Sequence, residues 1–463
     1  MERTDIYIEL ILSQPLLLAP LGIFLLAFFL IPSDKRLFVT LLILVPWLTL
    51  ARSPGLGPLA SAAKLSSGVA YLFIAFSAFT HPGPKRNIPF IGWLFVIIAC
   101  MSLVYILSVQ ELMQAFVLRS QWIVVTLAGV LTARTIVSHS DLMRILNALT
   151  VGCVIALAVP ASSLVLFPGE SFLRGMGRFQ PYGANSNQTG MLFALATPLL
   201  AYASMTCSRI SFRPLFMALL ILTIGMALMT ASRQTMLAIV MVLLPVIFTV
   251  SKRPVLLIVS IALAAIFLPF LLSLGEQEAD LARMTGLNTG RLDIWSAYWQ
   301  EVFPRRPLFG LLGSSGESYF KAVSEVGMHP HNAWFYLMYV GGASFMLPMI
   351  CLTIYSSYCG YKMWKVKSLL PGNPLVYSIL VMLLIAMYVQ GLFNQVVYWP
   401  TYTWSYLHVV LASWFIAMWS DIRDGGVAWS LFDDTETHEF YEPEDNELED
   451  FRDYEDSLPT ESD

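Results

Sequence analysis

Apolar residues run along this chain in long unbroken blocks, separated by short polar or basic turns. The blocks fall near 8–31, 37–51, 59–80, 90–108, 121–138, 145–167, 188–206, 215–231, 235–250, 255–274, 332–358, 375–395 and 401–419. Most approach or exceed the roughly 20 residues that carry a helix across a hydrocarbon core. They are continuous rather than alternating, which fits helices and not the strands of a barrel. The 37–51 block is short, and the 8–31 block contains Pro15 and Pro20, so 12 or 13 transmembrane helices are expected. The fold class read from this pattern is an all-α polytopic membrane protein. The first block is expected to act as a signal anchor, with no need of a cleaved leader.

One polar island, 275–331, interrupts the pattern and divides the chain. Residues 1–274 form an N-terminal set of membrane helices, and 332–419 a C-terminal set. The island between them is expected to be a large extramembrane loop with short amphipathic helices. Composition agrees with the class: 57% of residues are hydrophobic, 13% are charged, and the mean hydropathy is +0.68. Soluble domains carry about 25% charged residues. The net charge of −4 hides an asymmetry. Residues 420–463 hold 17 acids and two bases, whereas the remainder carries 25 bases and 14 acids. So acidic and apolar-poor a tail is expected to be disordered and cytoplasmic.

Short basic turns fix the expected orientation by the positive-inside rule. Lys35-Arg36, Lys85-Arg86, Arg209 with Arg213, Lys252-Arg253, and Lys362, Lys365 and Lys367 fall on one side, taken as cytoplasmic. The loop 168–187, the turn at Ser232-Arg233, the island and the turn 396–400 then face outward. The five cysteines, Cys100, Cys153, Cys207, Cys351 and Cys359, show no paired spacing in the outward loops. They read as small apolar residues rather than a disulfide scaffold.

Chemistry-bearing residues gather on the outward face. Arg233 sits between two apolar spans, where a guanidinium costs roughly 2.5–3.5 kcal/mol unless it reaches water or an anion. It is either an arginine snorkelling at a helix end or an anion ligand. Arg291 opens a segment in which Asn288 or Thr289 can cap a helix over about 290–303. Leu292, Trp295, Trp299 and Val302 repeat there at helical spacing, as in a helix lying on a membrane surface. The N-terminal amides of that helix and Arg291 together favour a phosphate. Asp293 suits the first turn with no further role. His329 and His331 flank Pro330 where the island meets the next span, and a histidine there can serve as a general base. No metal site is expected, because Pro330 separates the pair and no cysteine stands nearby. Asn332 can cap the span it precedes. The loop 168–187 offers Arg174, Arg178, Tyr182, Asn185, Asn187 and, just beyond, Gln188, donors suited to phosphate or sugar hydroxyls. No Walker sequence, dinucleotide fingerprint, zinc-protease motif or nucleophile elbow appears, and no basic arm points to nucleic acid.

Taken in order, Ser232-Arg233, Thr289-Gly290-Arg291 with Trp295, Pro307-Leu308-Phe309-Gly310, and His331-Asn332 followed by Gly342 form a string that resembles the O-antigen ligase and polymerase superfamily. Those are bacterial membrane glycosyltransferases of the GT-C type. The resemblance spans roughly 170–345. It implies a glycan donor carried on undecaprenyl diphosphate and transfer at the periplasmic face of the inner membrane, with no cofactor and no metal. It assigns His331 as general base on the acceptor hydroxyl, and Arg233 and Arg291 to the donor diphosphate. Arg178, Asn187 and Asn332 are carried over as glycan or phosphate contacts. Gln180-Pro181-Tyr182-Gly183 departs from the family's usual spelling, and the acidic tail lies outside its pattern.

Members of that superfamily differ in acceptor. The single large island, ending in His-Asn, resembles the ligase branch, with lipid A-core as acceptor. A polymerase of O-antigen or exopolysaccharide that extends another lipid-linked glycan is the alternative within the family, and a third branch glycosylates protein side chains. A lipid-linked glycan transporter is the alternative from another class. It would carry repeat-related broken helices and mid-span charges, whereas here the charges gather at one face and no repeat is visible.

Overall fold

In a computed structural model, the structure describes residues 22, 27–104, 112–172, 177–251, 291–305, 307–310, 330–394 and 402–423. The acidic tail, Arg174, His329, Asn288, Thr289, Gly290 and most of the 8–31 and 255–274 blocks lie outside the described residues. The described elements are helices and turns, with one isolated β-bridge between Phe172 and Phe179.

The first six helices are α1 (Ser33–Leu50), α2 (Pro58–Leu65), α3 (Ser67–Phe79), α4 (Phe90–Val104), α5 (Leu112–Thr135) and α6 (His139–Leu166). Then come α7 (Ser186–Thr206), α8 (Arg213–Met229), α9 (Arg233–Ser251) and the short α10 (Arg291–Ala297). The last four are α11 (Ala333–Gly341), α12 (Ala343–Lys365), α13 (Pro374–Gly391) and α14 (Thr403–Arg423). Among the described residues, five helices are long and apolar enough to cross a membrane, or six if the bent pair α2–α3 is one span. The chain is therefore an all-α polytopic membrane protein, and the expected 12 or 13 spans are not all of this strongly apolar kind.

The apolar stretches Phe90–Leu103 and Arg233–Thr249 fall short of a full span by length. Every residue of α14 from Trp404 to Trp419 is buried, as is most of α13. Helices enclosed by other helices need not be uniformly apolar. Their polar tips find partners instead. Tyr71 donates to the Tyr402 carbonyl at 3.1 Å, Tyr406 to Thr132 Oγ1 at 2.8 Å, and Trp404 Nε1 to the Met191 carbonyl at 3.0 Å. Helices α6, α8 and α12 instead leave Val165, Leu215 and Ile354 exposed, the apolar surface that faces lipid in a membrane. Proline stands inside α1, α6, α7, α9 and α12, as membrane helices tolerate.

Two expected continuous spans are broken. The 59–80 block bends by 46° between α2 and α3. The 332–358 block breaks at Gly342, whose φ of 64° cannot continue a helix. At the opposite end of α14, Arg86 is buried. Its guanidinium pairs with Asp421 and donates to the carbonyls of Ile136 at 3.0 Å and Val137 at 3.2 Å. Burial lowers its pKa, and the Asp421 carboxylate beside it acts in the opposite sense. The Lys85-Arg86 pair read from sequence as a topology signal thus includes a clamp that ties the loop after α3 to both the α5–α6 junction and α14. Ser138 and Asp141 start α6 with a reciprocal capping box.

Candidate functional site

Arg233 is presented by a tight reversal. Helix α8 ends at Met229 and α9 begins at Arg233, so the chain turns over Thr230, Ala231 and Ser232. Ala231 takes a left-handed φ of 48° while buried, a conformation costing roughly 1–2 kcal/mol for a residue with a Cβ. The Thr235 hydroxyl donates to Ser232 Oγ at 2.9 Å inside the new first turn. Helix α7 presses on the same turn at Gly190, where a Cβ would stand 2.0 Å from Thr235 Oγ1. Ser232, Gln234 and Thr235 are buried, whereas Arg233 is exposed at the helix N-terminus. The first-turn amides make such a helix start a favourable place for an anion.

The loop before α7 is stitched to this turn. Phe179 N donates to the Met229 carbonyl at 2.9 Å. Arg178 Nε donates to the Thr230 carbonyl at 3.0 Å, and its Nη2 to Asn187 Oδ1 at 3.0 Å. Arg178 and Asn187 thus form a half-buried clip between the loop and the Arg233 turn. Asn185 caps α7, its Oδ1 accepting from Asn187 N at 2.9 Å. Tyr182 adopts a φ of 50° and is held by Ser163 and Ser162.

Arg291 opens α10, which continues through a π-turn at Tyr298–Val302 and a 3-10 turn at Phe303–Arg305. The helix expected over about 290–303 is therefore present from 291, with its register loosening at Tyr298. The side chains of Arg291 and Asp293 lie outside the described part. Its faces differ from the simple expectation. Ile294 and Tyr298 are buried against Met338, Tyr339 and Val340 of α11, and Trp295 stacks on Phe335 at 6.0 Å. Leu292 and Trp299 are 73% and 53% exposed and form a separate apolar side. Burial pushes the Tyr298 phenol pKa above its ordinary range, so it stays protonated.

The break at Gly342 explains the Pro307-Leu308-Phe309-Gly310 string. A helix that restarts at Ala343 has amide donors without helical partners. Ala343 N donates to the Pro307 carbonyl at 2.8 Å and Ser344 N to the Leu308 carbonyl at 3.0 Å. Gly310 and Gly342 both have left-handed φ and lie back to back. A Cβ on Gly310 would stand 2.6 Å from Gly342 N, and one on Gly342 2.5 Å from Gly310 N.

His331 is exposed and holds a left-handed φ of 45°. Such a φ persists in a non-glycine residue only where neighbours impose it. Both do. The carbonyl of Pro330 accepts from Trp295 Nε1 at 2.8 Å. Asn332, which is buried, accepts at Oδ1 from Trp334 N at 2.8 Å and Phe335 N at 3.1 Å, the cap expected from sequence. Its Nδ2 donates to the Leu392 carbonyl at 3.0 Å. Both ends of the Asn332 amide therefore serve the fold.

A continuous set of contacts gathers these residues at one end of the bundle. Arg178 is bonded to the Thr230 turn that precedes Arg233. The carbonyl of Gln234 accepts from Gln390 Nε2 of α13 at 3.0 Å. Two residues later Leu392 receives Asn332, the neighbour of His331, and Trp295 binds Pro330 from the helix that Arg291 opens. The sequence reading missed Gln234 and Gln390. The signal was available: a glutamine inside an apolar block is costly and asks for a reason.

No curated protein and no solved structure matches the chain. Residues 218–344, the stretch that holds Arg233, Arg291, His331 and Gly342, match the family model described as O-Antigen ligase, which supports membership of this chain in the O-antigen ligase/polymerase family.

Proposed function

We propose that the chain is an O-antigen ligase-like glycosyltransferase. It moves a glycan from undecaprenyl diphosphate to an acceptor hydroxyl at the periplasmic face of the bacterial inner membrane, with lipid A-core as the favoured acceptor. The family match over 218–344 carries this reading, because it covers all three residues assigned to the chemistry. The contacts from Arg178 to Trp295 support it, since they draw the backbone at Arg233, His331 and the Arg291 helix to one end of the fold.

His331 takes the proton of the acceptor hydroxyl as its oxygen attacks the anomeric carbon. The bond from that carbon to the diphosphate oxygen breaks, and undecaprenyl diphosphate departs with the electron pair. Arg233 and Arg291 meet the charge that grows on the leaving oxygens, and guanidinium forks suit phosphate geometry. Imidazole is the side chain most often used as a general base in such a proton transfer. A diphosphate already bound to lipid is a competent leaving group, so neither a nucleotide nor a metal is required by this scheme.

Polymerisation of lipid-linked repeats uses the same donor and the same steps, and differs only in acceptor. The lipid-linked glycan of a strain lacking the chain separates the two readings. Long chains retained on undecaprenyl diphosphate mark a ligase, and single repeats mark a polymerase. A profile like that of the parent strain overturns both.

A further inference from the structure

We infer that Gln390 is a positioning residue that sets the placement of Arg233 relative to His331. The inference rests on the function proposed above and assigns a residue outside the matched stretch to the same reaction.

The last turn of α13 reaches both functional elements within three residues. Gln390 Nε2 donates to the carbonyl of Gln234, in the first turn of α9 and next to Arg233. The Leu392 carbonyl accepts from Asn332 Nδ2, next to His331. The turn is itself closed, because Phe393 N and Asn394 N both donate to the Gln390 carbonyl at 2.9 Å. Gln390 and Asn332 are 1% and 4% exposed, so these links are shielded from water and hold fixed geometry.

The pair is poorly suited to a purely stabilising role. Among the described residues, Gln390 Oε1 and both amide atoms of Gln234 are buried without a hydrogen-bond partner. Each such atom costs about 1–3 kcal/mol. Two apolar side chains would pack the α9–α13 contact without that cost. What they would lose is the directional bond that ties the carbonyl beside Arg233 to α13. Arg233 opens α9 and His331 precedes α11, and α13 with the turn that ends it is bonded next to each. A displacement of about 1 Å between groups that must act together can cost on the order of 100-fold in rate.

The test uses the full-length chain in lipid nanodiscs, with lipid-linked glycan as donor and acceptor lipid titrated. Gln390→Leu should lower kcat/KM at least tenfold at unchanged membrane level. Gln390→Met, closer in length, should do the same and serves if the leucine variant folds poorly. Tyr406→Phe deletes a different buried inter-helix bond, to Thr132, and should stay within twofold of the parent. Adding Gln390→Leu to His331→Ala should cause no further loss, since the base being placed is gone. Gln390 variants within twofold of the parent overturn the inference and leave the functional reading standing. Equal losses in Gln390→Leu and Tyr406→Phe also overturn it, because they indicate general loosening. A parent chain that transfers nothing overturns the functional reading and this inference together.

Discussion

The indole of Trp295 donates to the carbonyl of Pro330 at 2.8 Å, so the helix opened by Arg291 holds the backbone immediately before His331. The ring also stacks on Phe335, one turn into α11. Trp295→Phe should keep most of the stacking and lose the hydrogen bond, a change of about 1 kcal/mol in stability. Under the proposed function, transfer should fall about tenfold through loss of positioning. Kinetics on detergent-purified protein, alongside its melting temperature, read both quantities.

Gly342→Ala probes the break in the 332–358 block. Alanine there meets a left-handed φ and a contact of 2.5 Å with Gly310 N. Strain of at least about 1–3 kcal/mol is expected before the clash is counted. The measurable result is a lowered melting temperature or a lower membrane level. Gly169→Ala, where a Cβ meets nothing within 4 Å, should change neither.

The clamp at the far end of the bundle predicts a loss of stability without a specific loss of chemistry. Arg86→Ala leaves Asp421 without its buried guanidinium and frees the carbonyls of Ile136 and Val137. Removing one member of a buried pair costs roughly 3–5 kcal/mol. Asp421 is 27% exposed at its side chain, which places the expected loss at the lower end of that range, about 3 kcal/mol. Thermal unfolding of Arg86→Ala and Asp421→Ala should show Arg86→Ala as the more damaging, because arginine also carries the two carbonyl contacts.

Sequence pattern made the class and one local feature of the candidate site legible, for identifiable reasons. Unbroken apolar blocks have few folded solutions in lipid, so the all-α polytopic architecture follows directly. The cap at Asn332 was readable because capping is local chemistry. The break at Gly342 was not, since its cause is the Pro307–Gly310 turn more than 30 residues earlier. The buried face of α10 was not read for the same reason: Ile294 and Tyr298 are chosen by α11, not by the helix's own periodicity. Gln390 was passed over inside an apolar block because its meaning depends on Gln234, on a distant helix.

Arg291→Lys is expected to be nearly as damaging to transfer as Arg291→Ala. An ammonium is a point charge and does not reproduce the bidentate fork on two phosphate oxygens. Transfer assays at matched protein level test this, and full activity in the lysine variant contradicts the assigned role.

The central claim is glycan transfer from a lipid diphosphate with His331 as base. The direct measurement is the length and amount of glycan on undecaprenyl diphosphate in a strain lacking the chain and in one carrying His331→Ala. The account predicts that long lipid-linked chains accumulate in both strains while the acceptor remains bare. A lipid-linked profile and an acceptor unchanged from the parent in both strains would contradict it.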